Sequence, residues 1–197
     1  MRKRINSFEK AITKEEILAL PLSSFSGEII VVEDPKHVPG VAKTLSGYDI
    51  LGFDTETRPA FRKGVINEVA LLQFATEEKA FIFRLNKTGL PPSLVSLMAN
   101  PGIIKAGAAI RDDIRSLQRL ARFNPAGFVE LQELVKEHNI RDSGLRKMAG
   151  IVMGIQISKA QQVTNWERQV LTEAQLVYAA TDAWVCYEIY RRLTATS

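Results

Sequence analysis

The sequence predicts an α/β domain with a mixed central β-sheet flanked by helices, and three observations carry that expectation. Short apolar runs bounded by Gly, Pro and charged residues recur along the chain, as in "DILGFDTET" and "GIIKAGAA". Two others, "EVALLQFAT" and "KAFIFRL", are separated by the short polar link "EE", which predicts an antiparallel hairpin. Helical spacing then dominates and ends in a long helix that is apolar on almost every face, the mark of a buried helix. The 197 residues fit a single domain, and 46% hydrophobic composition is ordinary for a packed core.

Taken in order, residues 1–26 read as a helical or irregular N-terminal extension, ahead of a main domain over 27–197. Thr13 stands three residues before Glu16, a capping-box spacing in front of "ILAL". "EIIVVED" reads as a strand. Pro35 and Pro39 punctuate the next connection, and a helix around "VAKTL" leads to the strand "DILGFDTET", which with the hairpin gives three neighbouring strands. Pro91 and Pro92 suit a helix start before "SLVSLMAN", and "GIIKAGAA" is a Gly-flanked run typical of a buried strand. "RDDIRSLQRLA" continues a helical pattern with Ile110, Ile114, Leu117 and Leu120. "FVEL" offers a last strand, and "LQELVKEH" and "GLRKMAGIVMG" read as helices. The final helix, "LTEAQLVYAATDAWVCYEIYRRL", opens on a second capping-box pattern, Thr172 and Gln175. There is no internal repeat and no low-complexity tract.

Composition removes several classes of function. The one cysteine, Cys186, cannot form an intramolecular disulfide, and no Cys/His cluster has zinc spacing, so a reducing compartment, the cytoplasm, is expected. The basic opening "MRKRINSFEKAITKEEILALP" lacks the apolar stretch of a secretory signal, and no run is long enough to span a membrane. A net charge of +4 and a pI near 9.2 permit an anionic partner without requiring one, because 26 basic and 22 acidic residues are intermixed.

Acidic residues at three places raise a sharper question. Strand alternation puts Gly52, Asp54 and Glu56 on one face and Leu51, Phe53 and Thr55 on the other, with the two acids about 7 Å apart along the chain. Two carboxylates so close repel each other unless water or a cation compensates. In the last helix Tyr178 lies one turn before Asp182 on the same face, so a phenol and a carboxylate point together. Asp112 and Asp113 open the helix that follows "GIIKAGAA", where acids also complement a helix N-terminus. A strand end meeting solvent, a tyrosine satisfying a core aspartate and a helix start account for each placement singly. Three together suggest oxygen ligands for hard divalent cations, two of which, about 3.5–4 Å apart, can stabilise the attacking and leaving oxygens in phosphodiester hydrolysis.

These residues resemble the DEDD superfamily of 3′–5′ exonucleases, and most of all the branch of ribonuclease D and the exonuclease domain of the Werner syndrome helicase. "FDTET" resembles the first motif, "AGAAIRDDIRSL" the second and "NWERQVLTEAQLVYAATDAW" the third, with similarity running from about Glu28 to Leu193. The resemblance implies a ribonuclease H-like (DnaQ-like exonuclease) fold. It also implies that Asp54, Glu56, Asp113 and Asp182 hold two Mg²⁺ or Mn²⁺ ions while Tyr178 orients the attacking water. Within the second motif, register with the glycine and isoleucine selects Asp113 over Asp112, whose place is commonly taken by a small residue. Val177 stands where sister families have a histidine, which implies the tyrosine subclass (DEDDy); His37 and His138 fall in no motif. Thr55 and Lys159 are the candidate substrate contacts.

The implied activity is metal-dependent hydrolysis from the 3′ end of DNA or RNA, releasing 5′-mononucleotides, with a nucleic acid bearing a free 3′ end as partner and single strands preferred. The chain is expected to lack the helical RNA-binding domains of ribonuclease D and any helicase. Two other classes share these features: a nuclease-fold nucleic-acid-binding module with weak or no turnover, and a phosphoesterase acting on small nucleotides.

Overall fold

Six strands form one sheet: β1 (Glu28–Val32), β2 (Ile50–Thr57), β3 (Val69–Ala75), β4 (Lys79–Arg84), β5 (Ile104–Gly107) and β6 (Phe128–Glu130), in the spatial order β1-β4-β3-β2-β5-β6. The computed structural model describes residues 8–60, 64 and 66–195. The first seven residues of the expected N-terminal extension therefore lie outside the described residues. β2, β3 and β4 are antiparallel neighbours, whereas β1 runs parallel to β4 and β5 parallel to both β2 and β6, so the sheet is mixed. The hairpin predicted across "EE" is β3–β4, closed where the Thr76 amide donates to the Lys79 carbonyl at 2.8 Å.

Helices cover both faces, and alternation along β2 decides which side chain meets which layer. Leu51 and Phe53 enter one core with Leu72 and Phe74 of β3 and Phe81 and Phe83 of β4. That core is covered by α2 (Val38–Leu45), α4 (Pro92–Met98) and α5 (Ile110–Leu120). Burying each such ring or leucine contributes roughly 1.5–3 kcal/mol, which makes this layer a rigid base for the strand. The opposite face carries α6 (Leu131–Glu137), α7 (Leu145–Met153) and the long α8 (Glu173–Ala195). Thr172 and Gln175 cap α8 reciprocally, with amide-to-side-chain bonds of 3.1 and 3.2 Å, as their spacing predicts. A one-turn helix, α3 (Leu85–Thr88), follows β4.

Lys105 is the exception in the apolar run of β5. It is fully buried, yet its amine donates to the carbonyls of Asn100 (2.7 Å) and Leu97 (3.3 Å) at the C-terminus of α4, so the charge is spent capping a helix. Burial pushes its pKa down to about 8.

The segment before β1 packs onto the rest of the chain. Its short helix α1 (Lys14–Ala19) has the Thr13–Glu16 capping box. The Arg141 amide donates to Lys10 O, the Ile12 amide to the Asp142 carboxylate, and the Ser23 amide to Gln156 O. Ile12, Ile17 and Leu20 meet Gly150 of α7, where a Cβ would stand 3.0 Å from the Ile12 side chain. No helix among the described residues is long and apolar enough to cross a membrane.

Candidate active site

Helix α8 reaches the sheet because Gly52 has no side chain. A Cβ there would overlap the carbonyl oxygen of Ala183 and stand 2.8 Å from the Tyr187 amide nitrogen. This close approach brings Asp182, 8% exposed, over the half-buried Asp54 and Glu56 of β2. One carboxylate oxygen from each of the three lies within 4.8 Å of the others. The strand register shifts between Glu56 and Thr57, so the ladder with β3 loosens where the acids end. Across that ladder from Asp54, Gln73 is fully buried, and neither of its amide atoms has a hydrogen-bond partner among the described residues.

Asp113 stands beside this group. Its carboxylate accepts the Thr55 hydroxyl at 2.6 Å, and its charge reaches both Asp54 and Glu56. Asp112 points away, largely exposed, and pairs with Arg115 at 3.2 Å. The structure thus places Asp113 at the site and Asp112 on the surface, and it shows the hydroxyl of Thr55, a candidate substrate contact, engaged by Asp113. Helix α5 is set in place by Glu130, at the end of β6. One carboxylate oxygen accepts the Ala109 amide and the other the Ile110 amide, both at 2.9 Å, and the first also takes the Gln132 amide that opens α6. Ala109 adopts the left-handed conformation (φ 59°, ψ 33°), unfavourable for a residue with a Cβ, and the two bonds beside it hold that turn.

Tyr178 faces Asp182, one helical turn on, close enough for the phenol and the carboxylate to influence each other. Its ring packs on the fully buried Trp166, with centroids 5.9 Å apart. Trp166 belongs to a connection tied down from below by Arg84, whose guanidinium is buried and donates to Gln169 O (3.0 Å), Arg168 O and the Glu33 carboxylate (2.6 Å). Gln175 adds bonds to the Thr164 hydroxyl and Asn165 O. Lys159 is exposed and lines a cavity of about 610 Å³ that ends at Tyr178 and Asp182.

The electrostatics follow from packing several acids together. Burial first, then the charges of Asp182, Glu56 and Asp113, hold Asp54 well above the usual carboxylate range. Glu56 is pushed up to about 9 by burial and by Asp182 and Asp113. Asp182 is pushed up to about 7 by burial, against the opposing hydrogen bond from Tyr178. Asp113 is raised as well, chiefly by burial. Such a group binds protons tightly or, when ionised, a cation. Clustered carboxylate oxygens are the donor set of a hard divalent ion with its waters, so the residues fit one.

The family model for 3′–5′ exonucleases matches residues 29–196. The chain belongs to the 3′–5′ exonuclease family. It is 31% identical over 198 residues to the mouse bifunctional 3′–5′ exonuclease/ATP-dependent helicase WRN, covering 94% of this chain but only 14% of that relative. Among solved structures it resembles the EXO domain of Nibbler from Aedes aegypti (TM-score 0.79, 22% identity, 88% of this chain and 92% of that one). It also resembles Trypanosoma brucei RNase D in complex with RNA U12 (TM-score 0.72, 20% identity, 91% and 64%). The sheet and its helices are those of a ribonuclease H-like exonuclease domain. The family implies divalent metal ions, and in this exonuclease-family chain the cluster of Asp54, Glu56 and Asp182 is suited to bind them.

Several residues that build this exonuclease-family site give little sign of it in the sequence. Glu130 acts on amides 20 and 21 positions earlier in the chain, and Arg84 on carbonyls more than 80 positions later, so no local spacing reveals either. Trp166 lies inside the third motif, yet its contact with Tyr178 emerges only when the connection folds back over α8. His37 is exposed and His138 packs edge-on against Phe8, both away from the carboxylates.

Proposed function

We propose that this chain is a metal-dependent 3′–5′ exonuclease that hydrolyses phosphodiester bonds at the 3′ end of DNA or RNA and releases 5′-mononucleotides. The observation that carries this reading is the convergence of Asp54, Glu56 and Asp182 within 4.8 Å, with Asp182 lining a cavity large enough for part of a strand. In this reading Asp54, Glu56, Asp182 and, from α5, Asp113 hold two Mg²⁺ or Mn²⁺ ions. Bound there, the ions supply positive charge to the attacked phosphate and to the departing oxygen.

The chain's own groups do the positioning. The Tyr178 hydroxyl, beside Asp182, has its pKa raised by burial and by the surrounding carboxylates, so it stays protonated at neutral pH and orients the attacking water instead of deprotonating it. Water oxygen joins phosphorus, the bond from phosphorus to the ribose 3′ oxygen breaks, and the released nucleotide keeps its 5′ phosphate. The shortened strand regains a 3′ hydroxyl and can re-enter the same cavity. A binding module that has lost turnover would lack an acid, and all four are present.

Incubation of end-labelled DNA and RNA oligonucleotides with Mg²⁺, Mn²⁺ or EDTA tests the proposal. Shortening in either metal and none in EDTA supports it. Undiminished hydrolysis in EDTA, or none in any metal, overturns it.

A further inference from the structure

Two cavities open onto Tyr178 and Asp182, and their walls differ in charge. The smaller, about 350 Å³, is lined by neutral side chains such as Leu22, Ser23, Gln161 and Thr181. The larger, about 610 Å³, is walled by Lys14 of α1, Arg146 and Lys147 of α7, and Lys159. Cations along the wall, with Asp182 of the acidic cluster also lining the cavity, suit an anionic chain whose terminus must reach the acids.

The wall is built, not accidental. Arg146 is held beside the cavity by its Nε, which donates to Ile157 O at 2.9 Å. Lys147 pairs with Asp142 at 2.6 Å, and the other oxygen of Asp142 accepts the Ile12 amide, so one carboxylate ties α7 to the segment that carries Lys14. That pairing neutralises Lys147. Lys14, Arg146 and Lys159 form no ion pair among the described residues, which leaves three positive charges facing the cavity. Leu18, 58% exposed on the same helix as Lys14, adds an apolar surface on which a base can lie.

We propose that the segment from Lys10 to Ser24 is one wall of the groove that carries the substrate strand, with Lys14 and Arg146 gripping phosphates upstream of the bond to be cut. The inference rests on the exonuclease reading and extends it. The occupant is a single strand of nucleic acid entering by its 3′ end, and the segment before β1 is part of the substrate site. A single strand releases condensed ions when phosphates are neutralised, so each such contact contributes about 0.7 to the slope of log affinity against log salt.

Two variants test this, read first as binding of a 5′-fluorescein-labelled dodecanucleotide by fluorescence anisotropy in EDTA over a salt series. Lys14→Glu keeps an exposed first-turn position, where an acid also suits the helix N-terminus, so the variant retains the fold. Arg146→Ala removes the second cation together with its bond to Ile157. Each should weaken binding about tenfold at low salt, and Arg146→Ala should lower the salt slope by about 0.7. The second readout is hydrolysis in Mg²⁺ of the dodecanucleotide and of a dinucleotide. The expected result is a KM increase about tenfold greater on the longer substrate, with kcat on it retained. Wild-type affinity and slope in both variants, or equal losses on the two substrates, would overturn the proposal. If the wild-type protein hydrolyses neither substrate, the exonuclease reading fails, and the anisotropy series alone decides whether the groove binds a strand.

Discussion

Gly52 of β2 and Ala183 of α8 touch backbone to backbone: a methyl group on Gly52 would overlap the Ala183 carbonyl oxygen. The next residue on that face of the strand is Asp54, and the residue before Ala183 is Asp182. The missing side chain therefore sets the distance between two of the carboxylates. Gly52→Ala should force α8 outward, lowering stability by about 1–3 kcal/mol through overpacking. Activity should fall by more than stability explains, roughly 10²-fold, because a 1 Å misplacement of reacting groups costs about that much. Thermal unfolding and kcat measured on the same preparation check this, and a fully active, destabilised variant would show that the approach serves packing alone.

The contrast between Asp112 and Asp113 is equally direct. Asp113 accepts the Thr55 hydroxyl next to the cluster, whereas Asp112 makes an exposed pair with Arg115, of a kind worth about 0–1 kcal/mol. Asp113→Asn should reduce kcat by orders of magnitude, and Asp112→Asn should leave kcat within a few-fold and stability within about 0.5 kcal/mol. Similar severe losses in both would contradict the assignment.

For Tyr178 the geometry separates chemistry from metal binding. The ring is held by Trp166, and the hydroxyl alone meets Asp182. Tyr178→Phe should lower turnover by roughly 10²–10⁴ while calorimetry shows Mn²⁺ affinity little changed. Loss of metal binding or of the fold would reassign the tyrosine to structure.

How much of this was legible in the chain depends on how local each signal is. Alternation along "DILGFDTET" placed Asp54 and Glu56 on one face with Gly52, and both capping boxes formed where their spacing put them. The hairpin across "EE" and the helix opening at Ile110 followed from periodicity. The 7 Å separation expected of the two acids describes the strand's repeat; their side-chain oxygens, gathered with that of Asp182, lie within 4.8 Å. That convergence depends on the close approach at Gly52, a tertiary fact that strand geometry does not contain. Motif register selects Asp113 over Asp112, but the turn at Ala109 that presents it depends on Glu130, and the groove depends on residues 10–24 folding back onto α7. Contacts between residues from 20 to more than 100 positions apart leave no periodic trace.

The clustered acids also predict a pH dependence. Their pKa values are raised in the folded chain, to about 7 for Asp182 and about 9 for Glu56, so without metal the folded state holds protons that the unfolded chain releases above the ordinary carboxylate range. Stability from this source is complete at low pH and is lost as pH rises through the folded values. Between pH 5 and 8 the melting temperature in EDTA should fall, before Lys105, lowered to about 8, contributes in the opposite sense. Mg²⁺ or Mn²⁺ replaces the protons, so the metal-induced rise in melting temperature should be larger at pH 8 than at pH 5. A flat EDTA profile, with a metal effect independent of pH, would mean that the carboxylates do not repel one another as their packing requires.

Exonuclease action at a free 3′ end is tested on a single-stranded oligonucleotide labelled at its 5′ end, incubated with Mg²⁺ and followed over time beside a copy whose 3′ end is chemically blocked. The free strand should give a ladder descending one nucleotide at a time, and the blocked one none. EDTA, Asp54→Asn and Asp182→Asn should each abolish the ladder, since the amides keep the shape of the site but remove the charge that ions require. Internal cuts at the earliest times, equal cleavage of the blocked strand, or a ladder undiminished in either variant would contradict metal-dependent exonuclease action.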